Sequence, residues 1–303
     1  MDNFTYSIDM VRLQTEVKRT IFNEVMKKFT DSSLCSMVDY LELKSIKAYR
    51  HNFNIKGMLE PEQEFILYDI DSCDNPFQRS KSPTYSFWIG AEHNAKSPNK
   101  NNIDVVIEYN PNKCKDSQLL KYVLDNLFIK NKLTKIKKID FAIDIPENIQ
   151  NIKLIRDFRS SYKYFDNGGD DITHYMRKRN SHGHLKIYNK KRESNLDYEL
   201  TRYEVTIIMD IDLRMIDIYK VDYGIFPDLM LLEEQQLKLE KINGTDKVLL
   251  LSVMEHPEYL KLITRDKRKK IEGLMETFYK KITFNGVNKI EETIINYFKS
   301  ILN

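Results

Sequence analysis

Apolar and polar positions alternate with a period of two in some stretches of the chain and recur near every 3.6 residues in others. The order of these stretches predicts an α+β fold. Residues 6–13 are rich in β-branched and apolar side chains and read as a strand. Val17, Ile21, Phe22, Val25, Met26 and Phe29 follow at helical spacing. Residues 64–71, 84–91 and 103–109 read as further strands, separated by Pro-, Ser- and Asn-rich connections, which suggests an antiparallel meander. Asn110-Pro111-Asn112 ends the last of these. Asp116 or Ser117 can then cap a helix whose apolar stripe is Leu119, Leu120, Val123, Leu124, Leu127 and Phe128. A strand over 138–145 ends at Pro146. The turn signal Asp166-Asn167-Gly168-Gly169, whose glycines supply positive φ, precedes strand-like runs at 174–178, 184–188 and 201–208. From about residue 210 the alternation stops and helical patterns take over, including 233–241 and 268–282. A boundary is expected near 210–225, so antiparallel sheets with packed helices over 1–215 precede a helical region over 216–303.

In a strand, alternate side chains share a face. In the run 184–190 Leu185 and Ile187 therefore point one way, while His184, Lys186, Tyr188 and Lys190 point the other. A tyrosine among lysines suits attack on a phosphodiester, because the cations hold the phosphate and favour the phenolate that must form. On residue pattern alone the plainer reading of Tyr188 is an ordinary amphipathic strand residue, one of 18 tyrosines in a chain whose strands favour that type. The same alternation places Asp140, Ala142 and Asp144 on one face and Phe141, Ile143 and Ile145 toward a core. The two carboxylates lie roughly 13 Å apart at about 3.3 Å per residue, too far to share an ion unless the strand bends. Arg202, Glu204 and Thr206 share a face, and Asp9 and Glu108 sit in comparable strands. Oxygen ligands on separate strands suit Mg²⁺ or Mn²⁺; carboxylates paired with lysines on solvated faces are the plainer alternative. His182-Gly183-His184 reads as a polar pair near a turn rather than a metal site.

Charge and cysteine content narrow the picture. Lys and Arg number 48 against 45 Asp and Glu, so any nucleic-acid site must come from local clusters. Arg177, Lys178 and Arg179 form one cluster, and Lys190, Lys191 and Arg192 a second. Arg265, Lys267, Arg268, Lys269 and Lys270 form a third, in the helical tail. Three widely spaced cysteines argue against a disulfide framework and for a reducing compartment, with the cytoplasm as the expected address. Neither a secretory leader nor a membrane span is expected, since no apolar run is long enough to cross a bilayer. The absence of a phosphate-binding glycine loop argues against an intrinsic ATPase.

Four runs occur in a fixed order: Val106-Ile107-Glu108-Tyr109-Asn110-Pro111-Asn112-Lys113, Ile139-Asp140-Phe141-Ala142-Ile143-Asp144, Leu185-Lys186-Ile187-Tyr188-Asn189-Lys190-Lys191-Arg192-Glu193 and Arg202-Tyr203-Glu204-Val205. Over roughly residues 100–210 this resembles the Rep-trans family of plasmid rolling-circle replication initiators. The resemblance implies a fold related to the tyrosine nickases of the HUH-like type. It also implies that Tyr188 attacks one strand at an origin, leaving a 5′-phosphotyrosyl enzyme and a free 3′-OH. It further implies a divalent metal, Mg²⁺ or Mn²⁺, held by a set drawn from Asp9, Asp140, Asp144 and Glu204. Lys186, Lys190, Lys191 and Arg202 are the DNA contacts expected near the tyrosine, and the resemblance implies that origin choice lies in the C-terminal part, with Arg265, Lys267, Arg268, Lys269 and Lys270 as candidates. On this reading 1–215 is the nicking and strand-transfer domain and 216–303 the DNA-recognition region. The partners implied are origin DNA, single-stranded or cruciform at the nick, a host helicase, and a second copy of the chain in a homodimer. A relaxase-like, phage or integrative-element initiator shares this chemistry. A non-catalytic origin-binding or repressor protein is the alternative from another class. A tyrosine recombinase fits less well, because its tyrosine would lie in a helical core near the C-terminus.

Overall fold

A computed structural model describes residues 3–18, 20–22, 24–25, 87–93, 102–112, 118–155, 160–169, 171–232, 242–277 and 279–302. It is a mixed α+β structure with antiparallel sheets, and it divides into two compact units that interleave along the chain. One comprises Met1–Ser7, Phe141–Ile207 and Val221–Glu291; the other comprises Ile8–Asp140, Ile208–Lys220 and Glu292–Asn303. The expected runs at 64–71 and 233–241, and the helix cap at Asp116 or Ser117, lie outside the described residues. Among the described residues no helix is long and apolar enough to cross a membrane.

In the second unit, β1 (Thr5–Lys18) pairs antiparallel with β3 (Asn102–Tyr109), which pairs on its other side with β2 (Phe87–His93). Val11, Leu13, Thr15 and Val17 are buried in strict alternation along β1. The helix expected from Val17 starts later, because the period of two runs on to Lys18; residues 20–22 and 24–25 are helical, with Phe22 and Val25 buried. Helix α1 (Gln118–Val123) buries Leu120 and Val123, and it widens into a π turn over Leu124–Ile129 that buries Leu124, Leu127 and Phe128. A π turn breaks the regular carbonyl pairing. Here the buried Thr134 hydroxyl donates to the Phe128 carbonyl at 2.6 Å.

In the first unit, strands β6 (Tyr162–Asp166), β7 (Ile172–Met176), β8 (Leu185–Asn189) and β9 (Thr201–Asp212) pair in sequence, each antiparallel to the next. β1, β4 (Lys135–Ile145) and β9 each carry residues of both units. Gly168 and Gly169 at φ +98° and +65° make the expected turn between β6 and β7. Gly183 at φ +73° makes the turn into β8, where a Cβ would stand 1.8 Å from an Arg177 guanidinium nitrogen. β6 was not legible, because its sequence Tyr-Lys-Tyr-Phe-Asp puts aromatic rings on both faces and hides the alternation.

A three-stranded antiparallel sheet of β11 (Tyr279–Ile282), β10 (Leu229–Leu232) and β5 (Ile152–Leu154) completes this unit's strands. The helix expected over 268–282 therefore stops early: α4 spans Arg265–Met275 and the chain returns as β11. Met230, Leu250, Val253, Ile271 and Met275 form the core where α3 (Gly244–Glu255) and α4 meet the sheet. Phe141, Tyr203, Phe226 and Phe284 form an aromatic core with ring separations of 4.7–6.5 Å. The final helix, α5, spans Asn288–Leu302.

Candidate active site around Tyr188

Strand β8 is fixed in place by its apolar side, where Leu185 and Ile187 are fully buried. Its other side carries Lys186 and Tyr188, as the alternation expects. The register with β9 sets Tyr188 opposite Arg202 and Lys186 opposite Glu204. Directly opposed residues on antiparallel strands share a face, so Tyr188, Lys186, Arg202 and Glu204 form one polar patch. The Lys186 ammonium lies 3.7 Å from the centre of the Tyr188 ring, and that of Lys190 lies 5.8 Å away. Tyr188 itself is only 5% exposed.

The chain then doubles back over the tyrosine. The side chain of Asn189 accepts from the Arg192 amide at 3.0 Å, which caps the short helix α2 (Lys190–Ser194). Asn195 ends that helix in a left-handed conformation at φ +52°. This brings Glu193 within hydrogen-bonding reach of both the Lys190 ammonium and the Tyr188 hydroxyl. Burial raises the Glu193 pKa, but the hydrogen bond and charge of Lys190, the charge of Lys186 and the hydrogen bond from Tyr188 outweigh it and hold the carboxyl below its ordinary range. Glu193 is thus ionised at neutral pH and accepts from the phenol. It belongs to the third of the four ordered runs, in which the resemblance gives it no role. The signal was the Asn-Lys-Lys-Arg-Glu sequence, an N-cap followed by a carboxylate one helical turn on.

Within this patch Arg202 forms a two-pronged ion pair with Asp144, at 2.7 and 2.8 Å, with side chains 9% and 14% exposed. Lys191 pairs instead with Glu199, and Arg192 reaches Asp171 at 3.8 Å. Of the two histidines at the turn into β8, His182 stands 3.6 Å from Asp222 and His184 stacks on Tyr175.

The four candidate metal ligands are distributed as follows. Asp144 and Glu204 lie in the unit of Tyr188. Asp9 and Asp140 lie in the other, where Asp9 accepts from Asn110 at 3.4 Å and Asp140 pairs with Lys138 at 3.2 Å. Among the described residues no three His, Cys, Asp or Glu side chains are grouped closely enough to hold a metal ion. With both Asp144 oxygens engaged by Arg202 and Lys186 opposite Glu204, the carboxylates beside Tyr188 do not, as arranged, fit a divalent cation. In the tail, Lys267 and Lys270 bind the buried Asp246 at 3.3 and 2.5 Å, and Arg268 donates to the Leu260 carbonyl at 2.8 Å. Arg265 and Lys269 are exposed.

No protein-family model matches the chain, and no curated protein matches it. Among solved structures, one described as the structure of a rolling circle replication initiator protein from Geobacillus stearothermophilus aligns over 99% of this chain and 97% of its own. The identity is 11% and the TM-score 0.35. That similarity is remote.

Proposed function

We propose that the protein initiates rolling-circle replication by nicking and rejoining one DNA strand, with Tyr188 as nucleophile. The observation that carries this reading is the tyrosine flanked by Lys186 and Lys190, with its hydroxyl donated to an ionised Glu193. The four ordered sequence runs support it independently.

The chemistry follows from these positions. Lys186 and Lys190 bind the scissile phosphate and offset the charge that builds on its oxygens. The Tyr188 oxygen bonds to phosphorus as its proton passes to Glu193. The P–O3′ bond breaks, and the departing 3′ oxygen takes a proton from solvent. The product is a 5′-phosphotyrosyl enzyme and a free 3′-OH. Rejoining is the reverse: a 3′-OH attacks the phosphotyrosyl bond and Glu193 returns its proton to the phenol, so the linkage energy is kept and no ATP is used. Asp144 holds the Arg202 guanidinium in one orientation opposite Tyr188. Mg²⁺ or Mn²⁺ belongs to the proposal only as a requirement to be tested by chelation, and no step above passes through it. Origin recognition by the region 216–303, with Arg265, Lys267, Arg268, Lys269 and Lys270 as its candidate cations, belongs to the same proposal, as do a homodimer and a host helicase.

The near-complete burial of Tyr188 favours a second reading, an origin-binding protein that does not cut. The two separate on incubation of the protein with single-stranded oligonucleotides tiled across the DNA around its gene, with Mn²⁺ and with chelator. A denaturing gel should show a covalent adduct that Tyr188→Phe abolishes. Specific binding with no adduct under any condition would favour the second reading.

A further inference from the structure

The face that carries Tyr188 continues across β7 to the edge strand β6. Thr173 lies opposite Tyr188 and Tyr175 opposite Lys186; in the next pairing Phe165 lies opposite Thr173 and Lys163 opposite Tyr175. Two rows therefore cross the sheet side by side, Arg202-Tyr188-Thr173-Phe165 and Glu204-Lys186-Tyr175-Lys163. Between the rows Phe165 meets Tyr175 edge to face at 5.7 Å, and Tyr175 stacks at 6.0 Å, with ring planes 21° apart, on His184, which stands just before β8. Phe165 is 50% exposed. A single exposed phenylalanine needs no explanation. This one is the first of three rings in successive contact, bordered by two lysines and on the face of a tyrosine already flanked by ammonium groups. Folds that bind single strands without sequence preference combine these two elements, rings for the bases and cations for the backbone.

We propose that Phe165, Tyr175 and His184 form a stacking platform for the unpaired bases of single-stranded DNA, whose phosphates are held by Lys163 and Lys186 as the strand runs to Tyr188. The platform deepens the nicking reading and rests on it for the identity of the strand. Charge complementarity selects a polyanion, and the rings select one with accessible base faces, which excludes an intact duplex.

The test is fluorescence anisotropy on the full chain with a dye-labelled oligothymidine of about 12 nucleotides, a length such grooves cover, against an abasic strand of equal length and charge. Phe165→Ala and Tyr175→Ala should each weaken oligothymidine binding by about tenfold, given the usual contribution of one stacked base, and leave abasic-strand binding unchanged. Phe165→Trp should restore the affinity. Unchanged oligothymidine binding in both variants, equal weakening for both strands, or failure of Phe165→Trp to restore it would each overturn the platform. Thermal unfolding of the variants at wild-type temperature excludes misfolding, and Phe165→Leu provides a second, milder variant should an alanine fail to fold. If Phe165→Ala weakens binding but wild type forms no phosphotyrosyl adduct, the nicking reading fails and the platform stands. If the adduct forms and Phe165→Ala binds like wild type, the platform fails and the nicking reading stands.

Discussion

Glu193 turns the Tyr188 patch from a cationic surface into an arrangement that can move a proton. Substituting Glu193 by Gln keeps the shape and a hydrogen-bond acceptor but removes the carboxylate base. We expect nicking to slow by about 10²–10⁴-fold, the usual contribution of a positioned base, with DNA affinity unchanged. The sign of the pH dependence follows from the depressed pKa: the Lys190–Glu193 pairing is intact above the ordinary carboxylate range and is lost as pH falls through the lowered value. Single-turnover rates on a cleavable oligonucleotide should therefore stay flat on the acid side down to that range in wild type. Asp144 makes a different prediction. Asp144→Asn leaves the Arg202 guanidinium, 9% exposed, without its countercharge. The loss should be about 3 kcal/mol, as for other broken buried pairs, read as a lower urea midpoint.

At the scale of elements, α3 and α4 are joined by charge as well as by their apolar core. Asp246 lies in the first turn of α3, buried, where the helix dipole favours an anion. The hydrogen bond from Lys270, then that from Lys267, lowers its pKa against the cost of burial. The stability it contributes is present above the ordinary carboxylate pKa and lost as pH falls through the depressed one. Asp246→Asn should therefore unfold more easily than wild type at neutral pH, and the two should converge in acid, as followed by circular dichroism in urea. Lys267 and Lys270, read from the sequence as DNA contacts, do structural work here that a run of basic residues could not reveal. Legibility varied in the same way elsewhere. β8 and β9 were readable because Leu185, Ile187, Tyr203, Val205 and Ile207 alternate with polar neighbours. β11 was not, because four residues are too few to set a period. The Glu193 contact depends on an Asn189 cap and a reversal that spacing alone does not express.

For the whole molecule, an excess of only three positive charges means that DNA affinity must come from local clusters rather than from a general field. Each phosphate contact on a single strand adds about 0.7 to the slope of log affinity against log salt. Lys186→Gln should therefore lower the single-strand slope by about that amount, measured by anisotropy titrations from low to physiological salt. The units interleave along the chain, with 1–7, 141–207 and 221–291 in one, while the sequence signals a composition shift at 210–225. Pattern reading detects such shifts in sequence, but contacts between distant segments leave no periodic mark.

The most direct test of the account is the identity of the residue that becomes joined to DNA. Protein incubated with a cleavable single strand, digested with protease and nuclease, should yield one nucleotide-modified peptide with the modification on Tyr188, and none from Tyr188→Phe. A modification on any other residue, or strand cleavage that persists in Tyr188→Phe, would contradict it.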